Sequence, residues 1–371
     1  MQGSTPLADD RPDRLAPRTA LSRKAAGRTI ILLASLILAL VLLIQILHTT
    51  GAAVFGFADW RPIVLVYLLW AIAVAVGQVV IRGERGVRAL FLLPAVFFTM
   101  AVVIFPTLFG IYIASLDWNL SSVEGPRFSG LDNLTGMLGD TYYWNALGNM
   151  VFYSLAVLGE YAIAFALALL LSAEIRGRKF FRVVFLLPMM LSPVAVSWMI
   201  GKSLMEYRFG PAATLARYLG WDNPAFFSSP WMARLSIQAM DAWVSIPFIM
   251  IILLAGLQAM PRDVQEAAKV DGANSWQSFW HVTFPIMLPV SITVLIIRTI
   301  FKLKLADIVI NVTAGGPGGA TDTVSSFIYR VYRDRSNVGY GTALAMFYLL
   351  LIIVFLTLLL RLSRRWTQRV A

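Results

Sequence analysis

The sequence predicts an all-α polytopic membrane protein with eight transmembrane helices and both termini in the cytoplasm. Of its 371 residues, 58% are hydrophobic, and the mean hydropathy is +0.73, more apolar than a soluble protein of this size. Apolar runs reach the length of about 20 residues that crosses a bilayer. A backbone in lipid must satisfy its own hydrogen bonds, which predicts helices, and the alternating pattern of a transmembrane barrel is missing. The predicted spans are residues 29–50, 62–81, 89–115, 148–172, 183–204, 233–258, 283–303 and 339–361.

The distribution of charge predicts the orientation of these spans. The net charge is +11. If the N-terminus lies inside and the spans alternate, the inner segments carry all of this excess, whereas the outer and intramembrane parts sum to zero. This is the asymmetry that the positive-inside rule describes. The basic composition therefore needs no nucleic-acid partner.

The chain is predicted to have three parts. Residues 1–28 form a polar cytoplasmic tail, expected to be disordered up to the membrane. Residues 29–85 form an N-terminal transmembrane hairpin, whose first run is too long for a signal peptide and has no small-residue cleavage site after it. Residues 86–371 form the functional core. There is no cysteine, which excludes disulfides and thiolate chemistry.

Prolines are frequent within the apolar runs of the core. Pro188 and Pro193 both lie within the fifth predicted span. Kinked or broken helices are typical of bundles that open a path. At any single proline, a tolerated kink without a gating role remains the alternative.

A polar segment separates the sixth and seventh predicted spans. Pro261 ends the preceding apolar run, and Asp263 is expected to cap a short helix. A carboxylate in that helix could pair with a basic side chain of another protein, and a glycine can end the helix or allow close approach. An interfacial connector between two spans remains the alternative. The residues of interest are Glu266, Ala267, Ala268, Asp271 and Gly272.

This segment resembles the EAA loop of ABC-importer permeases. The family pattern is EAA, three residues, glycine, nine residues, then I-x-L-P. Here Glu266-Ala267-Ala268, Gly272 and Val282-x-Phe284-Pro285 have that spacing, with Val and Phe replacing Ile and Leu. The strings Leu257-Gln258-Ala259-Met260-Pro261 and Thr313-Ala314-Gly315-Gly316-Pro317 resemble the carbohydrate branch, the maltose-type or MalF-like permeases. The resemblance covers about residues 86–371.

The resemblance implies the permease subunit of an ATP-driven importer in the bacterial cytoplasmic (inner) membrane. It implies a type I ABC importer permease core of six helices, to which the N-terminal hairpin is added. The implied partners are a second homologous permease, two copies of an ABC ATPase, an extracytoplasmic solute-binding protein and membrane lipid. A coupling helix within residues 262–273 would enter a cleft of the ATPase, with Glu266 pairing with a basic residue and Gly272 ending the helix.

No cofactor and no enzymatic activity are expected of the chain itself. It lacks a G-x-x-x-x-G-K-[ST] loop. ATP and Mg are therefore expected to be bound by the partner ATPase subunits.

The resemblance also implies substrate contacts in the sixth and seventh spans, at about residues 241–248 and 298–305. Aromatic rings there suit the face of a sugar ring. The candidate substrate-binding residues are Asp241, Trp243, Ser245, Phe248, Arg298, Phe301 and Lys302.

Arg298 and Lys302 are unusual for a path that carries a neutral sugar. They lie four residues apart and share one helix face, and a charge at the centre of a span costs about 2.5–3.5 kcal/mol on insertion scales. One hypothesis is that they bind an anionic group of the substrate, such as a sulfonate, phosphate or carboxylate. The alternative is internal pairing with Asp241 and Glu160, which leaves the identity and charge of the sugar open.

A second functional class uses the same acids differently. Asp241 and Glu160 could bind a proton or cation in an ion-coupled secondary transporter, but that hypothesis leaves the EAA pattern unexplained. His48 and His281 have no companions for a metal site. No catalytic residue and no metal ligand are expected.

Overall fold

The computed structural model describes residues 17–49, 54–173 and 175–370. The chain divides into two compact units, Met1–Leu108 and Phe109–Ala371. Helix α1 already begins at Pro17, so the predicted tail is helical from that residue, and residues 1–16 lie outside the described residues. The division between the units falls inside the third apolar helix. The predicted functional division at residue 86 is a different boundary and stays a prediction.

The first unit contains an antiparallel hairpin of two long helices. Helix α1 spans Pro17–Thr49 and helix α2 spans Arg61–Arg82. They approach closely where glycines face each other: a Cβ atom on Gly27 would lie 2.7 Å from the carbonyl oxygen of Gly77. Helix α3, Glu84–Thr99, follows α2 and continues through a π-helical turn, Met100–Ile104.

Polar groups within this hairpin are satisfied locally. The Gln45 side chain donates to the carbonyl of Phe57 at 3.2 Å and accepts from its N–H at 2.9 Å. The Trp70 indole donates to Ser35 Oγ at 3.0 Å. Such pairs avoid the free-energy cost of unsatisfied polar groups in lipid.

Helix α4, Phe105–Ala114, crosses into the second unit. It is followed by an antiparallel two-stranded ribbon of β1, Leu116–Asp117, and β2, Arg127–Phe128. The helices that follow in the described part of the chain are α5 (Asp132–Gly139), α6 (Thr141–Ser172), α7 (Arg178–Leu186), α8 (Pro193–Val196), α9 (Pro211–Tyr218), α10 (Pro230–Ala259), α11 (Arg262–Val270), α12 (Ser275–Ser278), α13 (Phe284–Lys302), α14 (Asp307–Val312), α15 (Val324–Arg333) and α16 (Val338–Val370).

The prediction of eight apolar spans is confirmed, with one of them broken. The described residues contain seven helices long and apolar enough to cross a membrane, or eight if one bent pair forms a span. That pair, Arg178–Met190 and Pro193–Leu204, is bent by 96°. The break lies within the fifth predicted span, 183–204, whose prolines had indicated a kinked or broken helix without deciding between the two.

The sequence at the bend explains the break. A 3₁₀ turn, Leu187–Met190, ends the first half, and Leu191 and Ser192 are extended. A residue before proline disfavours the helical conformation, and Pro193 lacks the N–H that would continue the helix. The Ser192 side chain then accepts a hydrogen bond from the N–H of Ala195 and starts α8.

Helices α6, α10 and α13 form the centre of the second unit. Helix α6 packs on α10 and on α13, and α10 also packs on α13. A buried apolar cluster fills the half of these helices nearest the polar segment; it includes Phe165, Leu171, Leu253 and Met287. The three helices therefore hold side chains at their contact surfaces in fixed positions.

The predicted orientation can be tested with single cysteines, because the chain has none of its own. Val270, beside the predicted cytoplasmic segment, is 87% exposed, and Val123, in a predicted outer loop, is 102% exposed. We expect a membrane-impermeant maleimide to label Val270→Cys in inside-out vesicles and Val123→Cys in spheroplasts. Ala268→Cys, at a buried position, is the matched control and should react slowly from either side. Labelling of Val123 and Val270 from the same side would contradict the orientation.

Candidate functional site

Four buried charged side chains meet between α6, α10 and α13, and we call them the charge quartet: Glu160, Asp241, Arg298 and Lys302. Glu160 comes from α6, Asp241 from α10 and both bases from α13. Arg298 Nε lies 2.7 Å from Glu160 Oε2, and Lys302 Nζ lies 3.0 Å from Glu160 Oε1. Asp241 Oδ2 pairs with both bases. None of the four residues is more than 8% exposed.

Two further side chains complete the surroundings of Lys302. Gln238, one turn before Asp241 on α10, donates to Glu160 Oε1 and accepts from Lys302 Nζ, each at 2.7 Å. The Tyr153 ring lies 5.8 Å from Lys302 Nζ. Neither residue was predicted. For Gln238, the sequence offered one signal: it lies three residues before Asp241, which puts both side chains on one helix face.

The quartet is electrically neutral as a whole. Two carboxylates face two cations, and the hydrogen bonds among them satisfy the polar atoms that burial removes from water. Removing one member of such a buried network leaves an uncompensated charge. The internal pairing considered as an alternative is the arrangement present here, so an anionic substrate group would have to displace Glu160 or Asp241 from the bases.

The three aromatic candidates lie on the helices of the quartet, but Trp243 lies on a different face of α10 from Phe248. Phe248 of α10 and Phe301 of α13 are in contact, with ring centroids 5.8 Å apart, and Phe301 is 52% exposed. Ser245 and Phe248 follow Asp241 by four and seven residues and share its face of α10. Trp243 follows by two residues and lies on the opposite face, 39% exposed. The structure thus brings the two phenylalanines together and separates Trp243 from them.

The polar segment forms a short exposed helix, α11. Glu266 and Ala267 are exposed, and Ala268 is buried against the protein. The helix ends at Val270, shorter than the predicted 262–273, because Gly272 adopts φ +77° and its N–H donates to the Lys269 carbonyl at 3.1 Å. Asp271 caps this end with its backbone and not its carboxylate.

The start of α11 differs from the prediction. The helix follows Pro261 directly, and its N-cap makes no side-chain hydrogen bond. Asp263 is the second helical residue and not the cap. A carboxylate in the first turn still interacts favourably with the helix dipole.

Large apolar side chains are exposed on α11 and on the helix that follows it. Val270 is 87% exposed and Trp276 is 70% exposed. A capping box fixes the next helix, since Asn274 and Gln277 each bond the backbone N–H of the other at 2.8 and 2.9 Å. Large exposed apolar residues beside a carboxylate on a fixed frame are typical of a surface that another protein covers.

No metal centre was found in the ranges that the structure describes, where no group of three or more His, Asp or Glu side chains could hold an ion.

Comparisons with known proteins agree on one family. Residues 83–368 match the family model described as the binding-protein-dependent transport system inner membrane component. The trehalose/maltose transport system permease protein MalF of Thermococcus litoralis is 31% identical over 76% of this chain and 95% of its own length. The sulfoquinovosyl glycerol transport system permease protein SmoG of Agrobacterium fabrum is 31% identical over 71% of this chain and 86% of its own.

Further relatives are similar over comparable lengths. The sn-glycerol-3-phosphate transport system permease protein UgpA of Agrobacterium fabrum is 30% identical over 75% of this chain and 94% of its own. A chain of a bacterial alginate ABC transporter, solved in complex with an alginate pentasaccharide-bound periplasmic protein, superposes with a TM-score of 0.65. It is 22% identical over 83% of this chain and 98% of its own.

Loss of one quartet base should destabilise the protein. Arg298→Gln leaves two buried carboxylates facing one cation, and we expect it to lower the free energy of unfolding by about 3–5 kcal/mol. The double variant Arg298→Gln/Asp241→Asn restores neutrality and should recover most of this loss. Unfolding of the purified chain in detergent measures both.

The matched control is Lys304→Gln, which removes an exposed base two residues from Lys302 and should change stability by less than about 0.5 kcal/mol. Equal effects of Arg298→Gln and Lys304→Gln would contradict a stabilising role for the quartet.

Proposed function

The chain belongs to the family of binding-protein-dependent transport system inner membrane components, and from this premise we propose that it moves a carbohydrate or carbohydrate derivative through an ATP-driven importer. It is a multi-pass permease of the bacterial inner membrane and the transmembrane subunit of an ABC importer. The observation that carries the proposal is the exposed helix α11, held between two spans and carrying Glu266 on its surface.

We propose that α11 is the docking point of an ABC ATPase. The chain has no phosphate-binding loop of its own, so ATP and Mg bind to partner subunits, of which an importer would have two. Glu266 would pair with a basic residue of the ATPase. The small side chain of Ala267 lies next to Glu266, and Val270, four residues after Glu266, adds exposed apolar area on the same helix face.

The path for the solute is proposed to form against a second, homologous permease. The exposed ring of Phe301, in contact with Phe248, gives a flat apolar face suited to a sugar ring. The charge quartet lies behind it on the same helices. Its proposed role is to hold α6, α10 and α13 in register while the path opens.

The charge of the solute remains to be measured. Relatives are named for maltose and trehalose, for sulfoquinovosyl glycerol and for sn-glycerol-3-phosphate, so the family name alone does not decide it. An anionic group would gain Arg298 and Lys302 only by breaking their pairs with Glu160 and Asp241. The anionic-substrate hypothesis therefore requires the solute anion to replace a carboxylate of the charge quartet as the partner of these two bases.

A solute-binding protein is proposed to deliver the substrate. The family description is of binding-protein-dependent transport, and the similar alginate transporter was solved with its periplasmic protein. The ion-coupled alternative needed Glu160 or Asp241 to be free for a proton or cation, whereas both are paired with cations here.

Charge reversal at the docking helix should uncouple transport. We expect Glu266→Lys to reduce solute uptake and solute-stimulated ATP hydrolysis by at least about tenfold, because the partner's basic residue would then face a cation. The measurement uses the co-purified importer complex in proteoliposomes. Glu124→Lys, the same substitution at an exposed position in a predicted outer loop, is the matched control and should retain most activity.

Gly272 provides a second pair of variants. Its positive φ disfavours branched side chains, although open space surrounds it. Gly272→Val should therefore impair coupling more than Gly272→Asn, since asparagine tolerates this conformation. Full transport in both Glu266→Lys and Gly272→Val would rule out the docking role of α11.

The proposed sugar face is tested at Phe301. Phe301→Ala should lower uptake about tenfold, the equivalent of losing one aromatic stacking contact of about 1.4 kcal/mol, without changing the amount of protein in the membrane. Phe355→Ala, at an exposed position of α16, is the control. The charge-balanced variant Arg298→Gln/Asp241→Asn should keep uptake of a neutral solute; selective loss of an anionic solute would instead assign Arg298 to substrate binding.

A further inference from the structure

The loop between α14 and α15, residues 313–323, is a rigid frame at the predicted outer end of the second unit. Backbone hydrogen bonds close it: the N–H of Ala320 donates to Pro317 at 2.9 Å, and the N–H of Thr321 donates to Gly315 at 3.2 Å. Asn149 of α6 anchors it by donating to the carbonyl of Asp322 at 2.9 Å. A Cβ atom on Gly315 would collide with the Asp322 carboxylate, so glycine is required where the loop wraps this side chain.

Asp322 is a fully buried carboxylate under the loop. Its carboxylate accepts a hydrogen bond from Ser326 Oγ at 3.0 Å and forms an ion pair with Arg330 of α15. Burial raises the pKa of the Asp322 carboxyl group, and the Arg330 guanidinium opposes this rise. The charge of the Asp322 carboxylate is thus balanced by the Arg330 guanidinium group.

A second arginine lies beside this pair. The Cζ atoms of Arg330 and Arg335 each lie 5.9 Å from the centroid of the Phe327 ring. Within the described ranges, no carboxylate lies within 4.0 Å of the Arg335 guanidinium, and the buried Nε of Arg330 has no hydrogen-bond partner. Two guanidinium groups therefore lie beside one ring, and within the described ranges only Arg330 of the two forms an ion pair with a carboxylate.

These groups line a cavity of about 310 Å³ that opens to the surface. Arg330, Arg335 and Phe327 form one side, and Tyr142 and the glycine-rich stretch 314–319 form the rest. Planar guanidinium groups recognise carboxylates by paired hydrogen bonds. Because Arg330 and Arg335 both line the cavity, an anion inside it would be attracted by two guanidinium groups.

We propose that this cavity receives a carboxylate side chain, Asp or Glu, of the solute-binding protein. This inference rests on the proposed function, since it names a contact of the importer's delivery partner. The cavity belongs to the outer loop and not to the α10 and α13 faces that carry the proposed solute contacts. A solute anion that bound at Arg335 would have to move on into the bundle, where the charge quartet has no net charge to attract it. An acidic side chain of a docked protein would instead remain in the cavity.

The test uses the complete importer complex in nanodiscs and the purified solute-binding protein that stimulates its ATP hydrolysis. We expect Arg335→Gln to raise the binding-protein concentration for half-maximal stimulation about tenfold and to leave the maximal rate unchanged. The difference should shrink in 0.5 M salt, since an exposed charge pair is screened there. Arg333→Gln is the matched control: its guanidinium lies over the Tyr329 ring, 5.6 Å away, and it does not line the cavity.

Equal half-maximal concentrations for Arg335→Gln and Arg333→Gln would overturn the proposal while leaving the importer function intact. So would an effect of Arg335→Gln on the solute concentration required at saturating binding protein, because the ligand would then be the solute itself. A wild-type complex that no binding protein stimulates would instead contradict the proposed function, and this outcome is visible without any variant.

Discussion

The charge quartet is the constraint on which the second unit depends. Four charged side chains are buried between α6, α10 and α13, and the surrounding lipid cannot solvate them if they separate. Their geometry is acceptable only while all three helices stay close enough for Arg298 and Lys302 to reach both carboxylates. Apolar packing in lipid is non-directional and supplies little specificity between helices. The quartet therefore fixes which helix faces meet, and this sets the positions of the half-buried Phe248 and the exposed Phe301.

The two ends of this bundle carry different surfaces. At the predicted cytoplasmic end, the short helix α11 exposes the Glu266 carboxylate and the apolar Val270 side chain. At the predicted outer end, a loop tied down by Asn149 and Asp322 leaves arginine guanidinium groups beside an open cavity. The first surface suits a basic and apolar partner, and the second suits an acidic one. The opposite signs would help each partner to recognise its own side.

Much of this architecture could be predicted from the residues. Span length and the periodic apolar runs are properties of local sequence, so eight spans were foreseen, and the i, i+4 spacing of Arg298 and Lys302 indicated a shared face. Pro188 and Pro193 indicated a kinked or broken fifth span, but the residues alone did not decide between a kink and a break; the extended Leu191 and Ser192 show a break. The end of α11 at Val270 depends on the conformation of Gly272. Gln238, Tyr153 and the cavity around Arg335 depend on contacts between distant segments, which one sequence does not reveal.

The continuity of the seventh span has a mechanical consequence. Helix α12 runs through a π-helical turn, Phe279–Thr283, directly into α13, so residues 275–302 form one rod without an intervening loop. At 1.5 Å per residue, that rod is roughly 42 Å long. One end begins at the capping box of Asn274 and Gln277, and the other carries Arg298 and Lys302 of the charge quartet. A displacement of the inner end would therefore be transmitted along one continuous helix to the charge quartet at the other end.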